Sequence, residues 1–296
     1  MVVSIKVCKT TITSTDTADN VIRHIIELKG GLFMQWENLT APDFQAAVRD
    51  TGLCILSMGV LERHGNHLPL GTDYLNVHRL CCLATEKEPA VVFAPFYFGQ
   101  IYEARCFPGT ITLKPTLLLE VIQGVLDEIG RNGFKKILIV NGHGGNGPLV
   151  SLLAQFSLWE EKPYSLYVRT SKLSAERQKQ WSSICETSLH GHACECESSV
   201  SLANHPELVK MSDVPNDPCT PLKRMTDLPF TGISWYADYP DHYCGDARTA
   251  STEKGRKLLQ FEVDQLIETI AAIKADKMAP ALNKEFFQRV EDLRKV

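Results

Sequence analysis

The chain has 296 residues, of which 44% are hydrophobic and 22% charged, and its formal net charge is −4. That length and apolar content suffice for one large domain or two small ones and exclude a disordered chain. A mildly acidic surface with no long Lys/Arg block gives no electrostatic reason to hold nucleic acid or an anionic membrane.

The opening segment, MVVSIKVCKTTITSTDTADN, has no continuous apolar core and no small-residue cleavage site, so no secretory leader is expected. No stretch is long and apolar enough to span a bilayer, and a cytoplasmic protein is expected. The ten cysteines form no disulfide framework by spacing. Cys194-x-Cys196 and the adjacent Cys81 and Cys82 are compatible with metal or redox chemistry, but without paired C-x₂-C spacing they read better as reduced cysteines, several of them packed as small hydrophobes.

Residues 1–30 read as a polar N-terminal extension with one short helix, Val21–Leu28, and residues 31–296 as a single domain. Thr40 is a predicted N-cap, followed by APDFQAAVRD as a helix. Leu53–Val60 is short, apolar and bounded by glycine, which predicts a buried strand. Ala90–Phe96 is a second such run. Leu118, Val121, Ile122, Val125 and Ile129 are at helical spacing within Leu117–Arg131, and Gly133 follows as a stop. Lys136–Val140 is a third buried strand, Pro148–Trp159 an apolar helix, and Ser165–Arg169 a fourth strand. Ser198–Asn204 continues as a helix, Asp213–Pro240 is a long Pro- and Asp-rich loop, and Thr252–Ala275 is a long amphipathic helix. Strands alternating with helices predict an α/β fold with a mostly parallel sheet covered on both faces.

Three polar clusters fall at element ends. The first runs from Glu62 to Asp73, ERHGNHLPLGTD, directly after the first strand. The second is NGHGGN, Asn141 to Asn146, after the third strand. The third is HGHACECESS, from His190 to Ser199, opening a helix. Ligands bind at the carboxyl ends of strands in open α/β sheets. A pair of divalent cations needs a carboxylate to bridge it, plus terminal imidazoles and carboxylates. Glu62, His64, His67, Asp73, His143, His190, His192, Glu195 and Glu197 supply that inventory. Read singly, the clusters are also compatible with a surface loop, a Gly-rich turn and a solvated helix start. Three together at element ends favour a metal site. The glycines flanking His143 would let backbone N–H groups approach an oxyanion.

The pattern E-x-H-G-x-H-L-P-L-G-T-D, then N-G-H-G-G-N, then H-A-x-x-x-E-[ST]-S resembles the creatininase (creatinine amidohydrolase) family. Here it is carried by Glu62, His64, Gly65, His67 to Asp73, Asn141 to Asn146, His192, Ala193, Glu197 and Ser199. FPGTI, from Phe107, and STEKG, from Ser251, are similar to further family segments, so the resemblance runs from about Trp36 to about Leu259. It implies a three-layer α/β/α sandwich around a mostly parallel sheet. It implies Asp73 bridging two divalent metal ions, Zn²⁺, Mn²⁺ or Fe²⁺. Glu62 and His143 would complete one site, and His64 and Glu197 the other. His192 would deliver a proton to the leaving nitrogen after a metal-bridging hydroxide attacks the carbonyl. His67 reads as orienting a ligand or as a buried histidine satisfied by backbone, and Gly144, Gly145, Glu103, His190 and Trp235 as substrate-binding.

The implied activity is cleavage of a C–N bond, other than a peptide bond, in a small cyclic amide or formamide. The alternatives are hydrolysis of a cyclic keto-sugar or keto-inositol, and small-ligand binding without turnover. The resemblance also implies a homo-oligomer, with a hexamer favoured, acting on a small molecule. The chain departs from creatininase proper in placing Gly145 where that enzyme has a metal-binding Glu, and Gly191 where it has an acid. Those departures point away from creatinine itself as substrate.

Overall fold

Side chains alternate across a β-strand, so a strand that is apolar at every position must be covered on both faces. The structure, a computed structural model, describes residues 34–169 and 175–295. In it β1 (Leu53–Met58) is buried at all six positions. Cys54, Leu56 and Met58 enter one core, while Leu53 and Ile55 enter the other. β3 (Lys136–Asn141) divides likewise, with Ile137 and Ile139 on the first side and Leu138 and Val140 on the second. With β2 (Val91–Val92) and β4 (Ser165–Arg169) these strands form a parallel sheet in the order β2-β1-β3-β4.

α1 (Ala41–Thr51), α3 (Pro115–Arg131) and α4 (Gly147–Phe156) cover the first face. Leu118, Ile122, Leu126 and Ile129 of α3 supply its buried stripe. α2 (Thr72–Thr85) and α8 (Thr252–Ala275) cover the second through Val77, Leu80 and Cys81 and through Val263, Leu266 and Ile270. The result is the expected three-layer α/β/α sandwich.

Thr40 caps α1 by accepting from the Asp43 N–H, and Gly52 ends it at φ 61°, a left-handed conformation natural to glycine. The second predicted strand shrinks to Val91–Val92, because Ala90–Phe96 pairs in register with β1 only there and by an isolated Met58–Phe96 bridge. The expected helix Val21–Leu28 lies outside the described residues. α5 (Ala175–Ser182), β5 (His190–His192), α6 (Glu195–Asn204), α7 (Ser234–Asp238), β6 (Cys244–Gly245) and α9 (Met278–Leu293) complete the described elements. β5 and β6 pair antiparallel. The Asp213–Pro240 loop contains α7 at its end. No helix among the described residues is long and apolar enough to cross a membrane.

Candidate metal centre

β1 and β3 are neighbours in register, with Met58 opposite Asn141, so the loops that leave their carboxyl ends start side by side. The first loop carries Glu62 and His64 and returns into α2, whose first turn holds Asp73. The second carries His143. All four side chains are buried.

Backbone carbonyls can only accept hydrogen bonds, so they fix the ring tautomers. His143 Nε2–H donates to Gln100 O at 3.0 Å, which leaves Nδ1 pointing at the carboxylates. That Nδ1 lies 2.9 Å from both Glu62 Oε1 and Asp73 Oδ2. Neither oxygen has a hydrogen-bond partner, though both are fully buried. His64 Nδ1–H donates to Glu62 O at 3.2 Å, and its Nε2 faces Asp73 Oδ1 at 3.1 Å. Asp73 thus turns one oxygen to each of two imidazoles. Three orphaned or lone-pair donors packed around one point fit a cation between them, and the ring N–H groups bonded to carbonyls are the orienting contacts that metal-binding histidines use.

The donor atoms of Glu62, Asp73 and His143 form one group, those of His64, His192 and Glu197 a second, and those of Glu62, His192 and His242 a third, each within 4.8 Å. The electrostatics agree with this arrangement. Burial pushes the His64 pKa down, but Asp73, then Glu62 and Glu197, carry it up to about 10. His143 is opposed by burial and raised well above its ordinary value by Asp73 and Glu62. Glu62, despite burial, is held well below the usual carboxylate range by His192 and His143. Glu197 is pushed up to about 8 by desolvation. The carboxylates therefore favour positive charge at His64 and His143.

His192 is held well below its ordinary pKa by burial and by His64, and so is neutral. Its Nε2–H donates to Arg63 O at 2.7 Å, leaving the other ring nitrogen free. Ala193, the next residue, has φ 54°, a strained left-handed conformation for a side-chain-bearing residue. Its N–H reaches the Glu197 carboxylate at 2.5 Å, so the reversal turns the chain from His192 back to Glu197.

His242 was not among the sequence candidates. Its Nε2–H donates to Glu62 Oε2 at 2.6 Å, and Trp235 Nε1–H donates to its Nδ1 at 3.3 Å. Only a His within a long loop marked it in the sequence, and it meets Glu62 from 180 residues away.

The remaining candidates spread out. His67 Nε2 contacts Ser198 Oγ at 2.8 Å, and Ser198 in turn donates to Ala193 O. Glu195 leaves the cluster, accepting from the Glu186 and Thr187 N–H groups and from Lys254 Nζ. His190 meets Cys196 at 3.1 Å. Glu103 accepts from the Gln100 amide at 2.9 Å and so braces the residue that orients His143. A Cβ on Gly145 would come within 2.5 Å of His143 Nε2, whereas one on Gly144 would meet open space. Trp235 stands beside His192 and His242, with ring centroids 6.1 and 6.2 Å apart. A cavity of about 660 Å³ opens beside Asp73, Glu197 and His190.

A cluster of this kind, at the carboxyl ends of a parallel sheet, is a candidate metal centre. The family model of creatininase (creatinine amidohydrolase) matches residues 37–270, and the chain belongs to that family. It is 25% identical over 285 residues to the 3-dehydro-scyllo-inosose hydrolase of Thermotoga maritima, covering 86% of this chain and 89% of that protein. It is 24% identical over 252 residues to the creatinine amidohydrolase of Pseudomonas putida, covering 78% and 94%. Among solved structures, a mutant creatininase of the Zn–Zn type superposes with TM-score 0.69 at 22% identity, covering 82% of this chain and 99% of that one.

Proposed function

We propose that this chain is a metal-dependent amidohydrolase cleaving a C–N bond in a small cyclic amide or formamide. The observation that carries the reading is Asp73, whose two carboxylate oxygens each face a tautomer-fixed imidazole beside the unpartnered Glu62 Oε1. Glu62, Asp73 and His143 would hold one divalent cation, and His64, Asp73 and Glu197 the other. Zinc, manganese and iron all suit this nitrogen and oxygen donor set. A divalent cation lowers the pKa of bound water toward 7 and polarises a carbonyl.

The chain's own residues do the rest. Gln100 O, Glu62 O and Arg63 O fix three rings before substrate arrives. Neutral His192, through the nitrogen not bonded to Arg63, accepts a proton from the attacking water and hands it to the leaving nitrogen. Trp235 and His242 hold Glu62 so that Oε1 stays free. The reading includes a cytoplasmic homo-oligomer, hexamer favoured, acting on a small molecule.

A second reading, hydrolytic opening of a cyclic keto-sugar or keto-inositol, is favoured by the match to the inosose hydrolase over most of both chains. It uses the same residues.

The test is elemental analysis of the purified protein, followed by turnover on formamides, cyclic amides and cyclic ketones after loading with Zn²⁺, Mn²⁺ or Fe²⁺. Two ions per chain and hydrolysis of a formamide or cyclic amide are expected. Turnover of cyclic ketones alone selects the second reading. No bound metal and no activity on any substrate would leave a ligand-binding protein and overturn both.

A further inference from the structure

We propose a second, sulfur-based metal site in this chain: Cys185, His190 and Cys196 bind a zinc-type divalent cation. Cys185 Sγ lies 3.2 Å from Cys196 Sγ, and Cys196 Sγ lies 3.1 Å from His190 Nδ1. The three donor atoms are all within 4.8 Å of one another. Tetrahedral zinc with Zn–S of about 2.3 Å and Zn–N of about 2.0–2.1 Å spaces its donors roughly 3.5–3.8 Å apart. The cluster reaches that spacing by opening about half an ångström at each contact.

The surroundings suit a structural thiolate site. Cys194, Cys196 and Leu258 are buried, with Trp181, Ile184 and Val200 packed around them. The Trp181 ring stands edge-on to His190, centroids 5.0 Å apart. Cys185 and Cys196 are free thiols. A disulfide would account for the two sulfurs but not for the imidazole aimed at Cys196, whereas a soft cation uses all three donors.

None of these donors belongs to the carboxylate–histidine cluster. The chain from Cys185 to Cys196 nevertheless contains His192 and ends one residue before Glu197. A cation here would clamp both ends of that segment and hold its strained Ala193 turn in place.

The test uses the full chain, reduced, stripped with a chelator and titrated with Co²⁺. Sulfur-bound cobalt gives an intense near-ultraviolet charge-transfer band that nitrogen and oxygen ligands do not give, so the other cluster is silent in this readout. The expected result is a band corresponding to one sulfur-bound cobalt per chain. It should be lost in Cys185→Ser and in Cys196→Ser and kept in Cys106→Ser, whose thiol is exposed elsewhere. Zinc-edge X-ray absorption on the unsubstituted protein, which needs no variant to fold, should show sulfur among the zinc neighbours. Absence of the band in folded wild-type protein, its persistence in both serine variants, or a zinc spectrum with nitrogen and oxygen neighbours only overturns the site. So does a Cys185–Cys196 disulfide in protein prepared under reducing conditions.

Discussion

Replacing His242 with asparagine should weaken metal binding at the Glu62 site by about 10–100-fold, although His242 faces that site only through Glu62. The buried 2.6 Å bond from His242 to Glu62 Oε2 is charge-assisted, and such bonds are worth about 1.5–3 kcal/mol. Without it Glu62 is free to rotate, and Oε1 loses its fixed direction. At about 1.4 kcal/mol per tenfold, that energy corresponds to the stated range, which is also the usual cost of removing an orienting partner. Asparagine suits the φ of 53° at this position, so the backbone strain does not grow, but its amide stops short of Glu62. Trp235→Phe keeps an aromatic ring, removes the N–H that fixes the His242 tautomer, and should cost about tenfold or less. The assay is competition of stripped protein against a fluorescent chelator for Zn²⁺ or Mn²⁺. Wild-type affinity in His242→Asn would refute the claim that the Trp235–His242 pair orients Glu62.

Asp73→Asn should abolish binding of both ions and essentially all turnover; elemental analysis showing one ion retained would argue against a bridging role. His192→Ala should keep its metal while turnover falls by roughly 10²–10⁴-fold, and an unchanged rate would remove His192 from proton transfer. Lys254→Met removes the ammonium that meets the buried Glu195 carboxylate at 2.5 Å, leaving it the Glu186 and Thr187 contacts, and should cost about 1.5–3 kcal/mol of stability in urea unfolding without altering metal content. A loss of metal in that variant would refute the separation of the Glu195–Lys254 pair from the metal cluster.

Much of this architecture was legible because its signals are local. β1, β3 and β4 are short apolar runs with β-branched residues, and α8 runs from Thr252 to Ala275 as its periodicity predicts. Glu62, His64, Asp73 and His143 were visible as polar residues following strands. Four features were not. α2, which positions Asp73, mixes Asn76, His78 and Arg79 into its apolar stripe of Val77, Leu80 and Cys81 and follows a loop-like Pro-Leu-Gly. α9 has no buried residue among its sixteen, so no core-facing stripe announced it. Glu195 looked equivalent to Glu197 because both open the same helix, yet side chains two positions apart on a helix do not share a face. Glu195 turns to Lys254, while Glu197 turns to Ala193. His242 depends on a contact that spans most of the chain, and no local pattern encodes it.

The in-register pairing of β1 with β3 acts as a ruler for the chemistry above it. Sliding one strand past the other by a single residue shifts its end by about 3.3 Å and exchanges its two faces. That shift exceeds the 2.9 Å separating His143 Nδ1 from its two carboxylate oxygens. The interleaved apolar side chains of two cores therefore calibrate atomic spacing in loops that they never touch, and a drift in the sheet would disassemble the centre with every ligand residue still present.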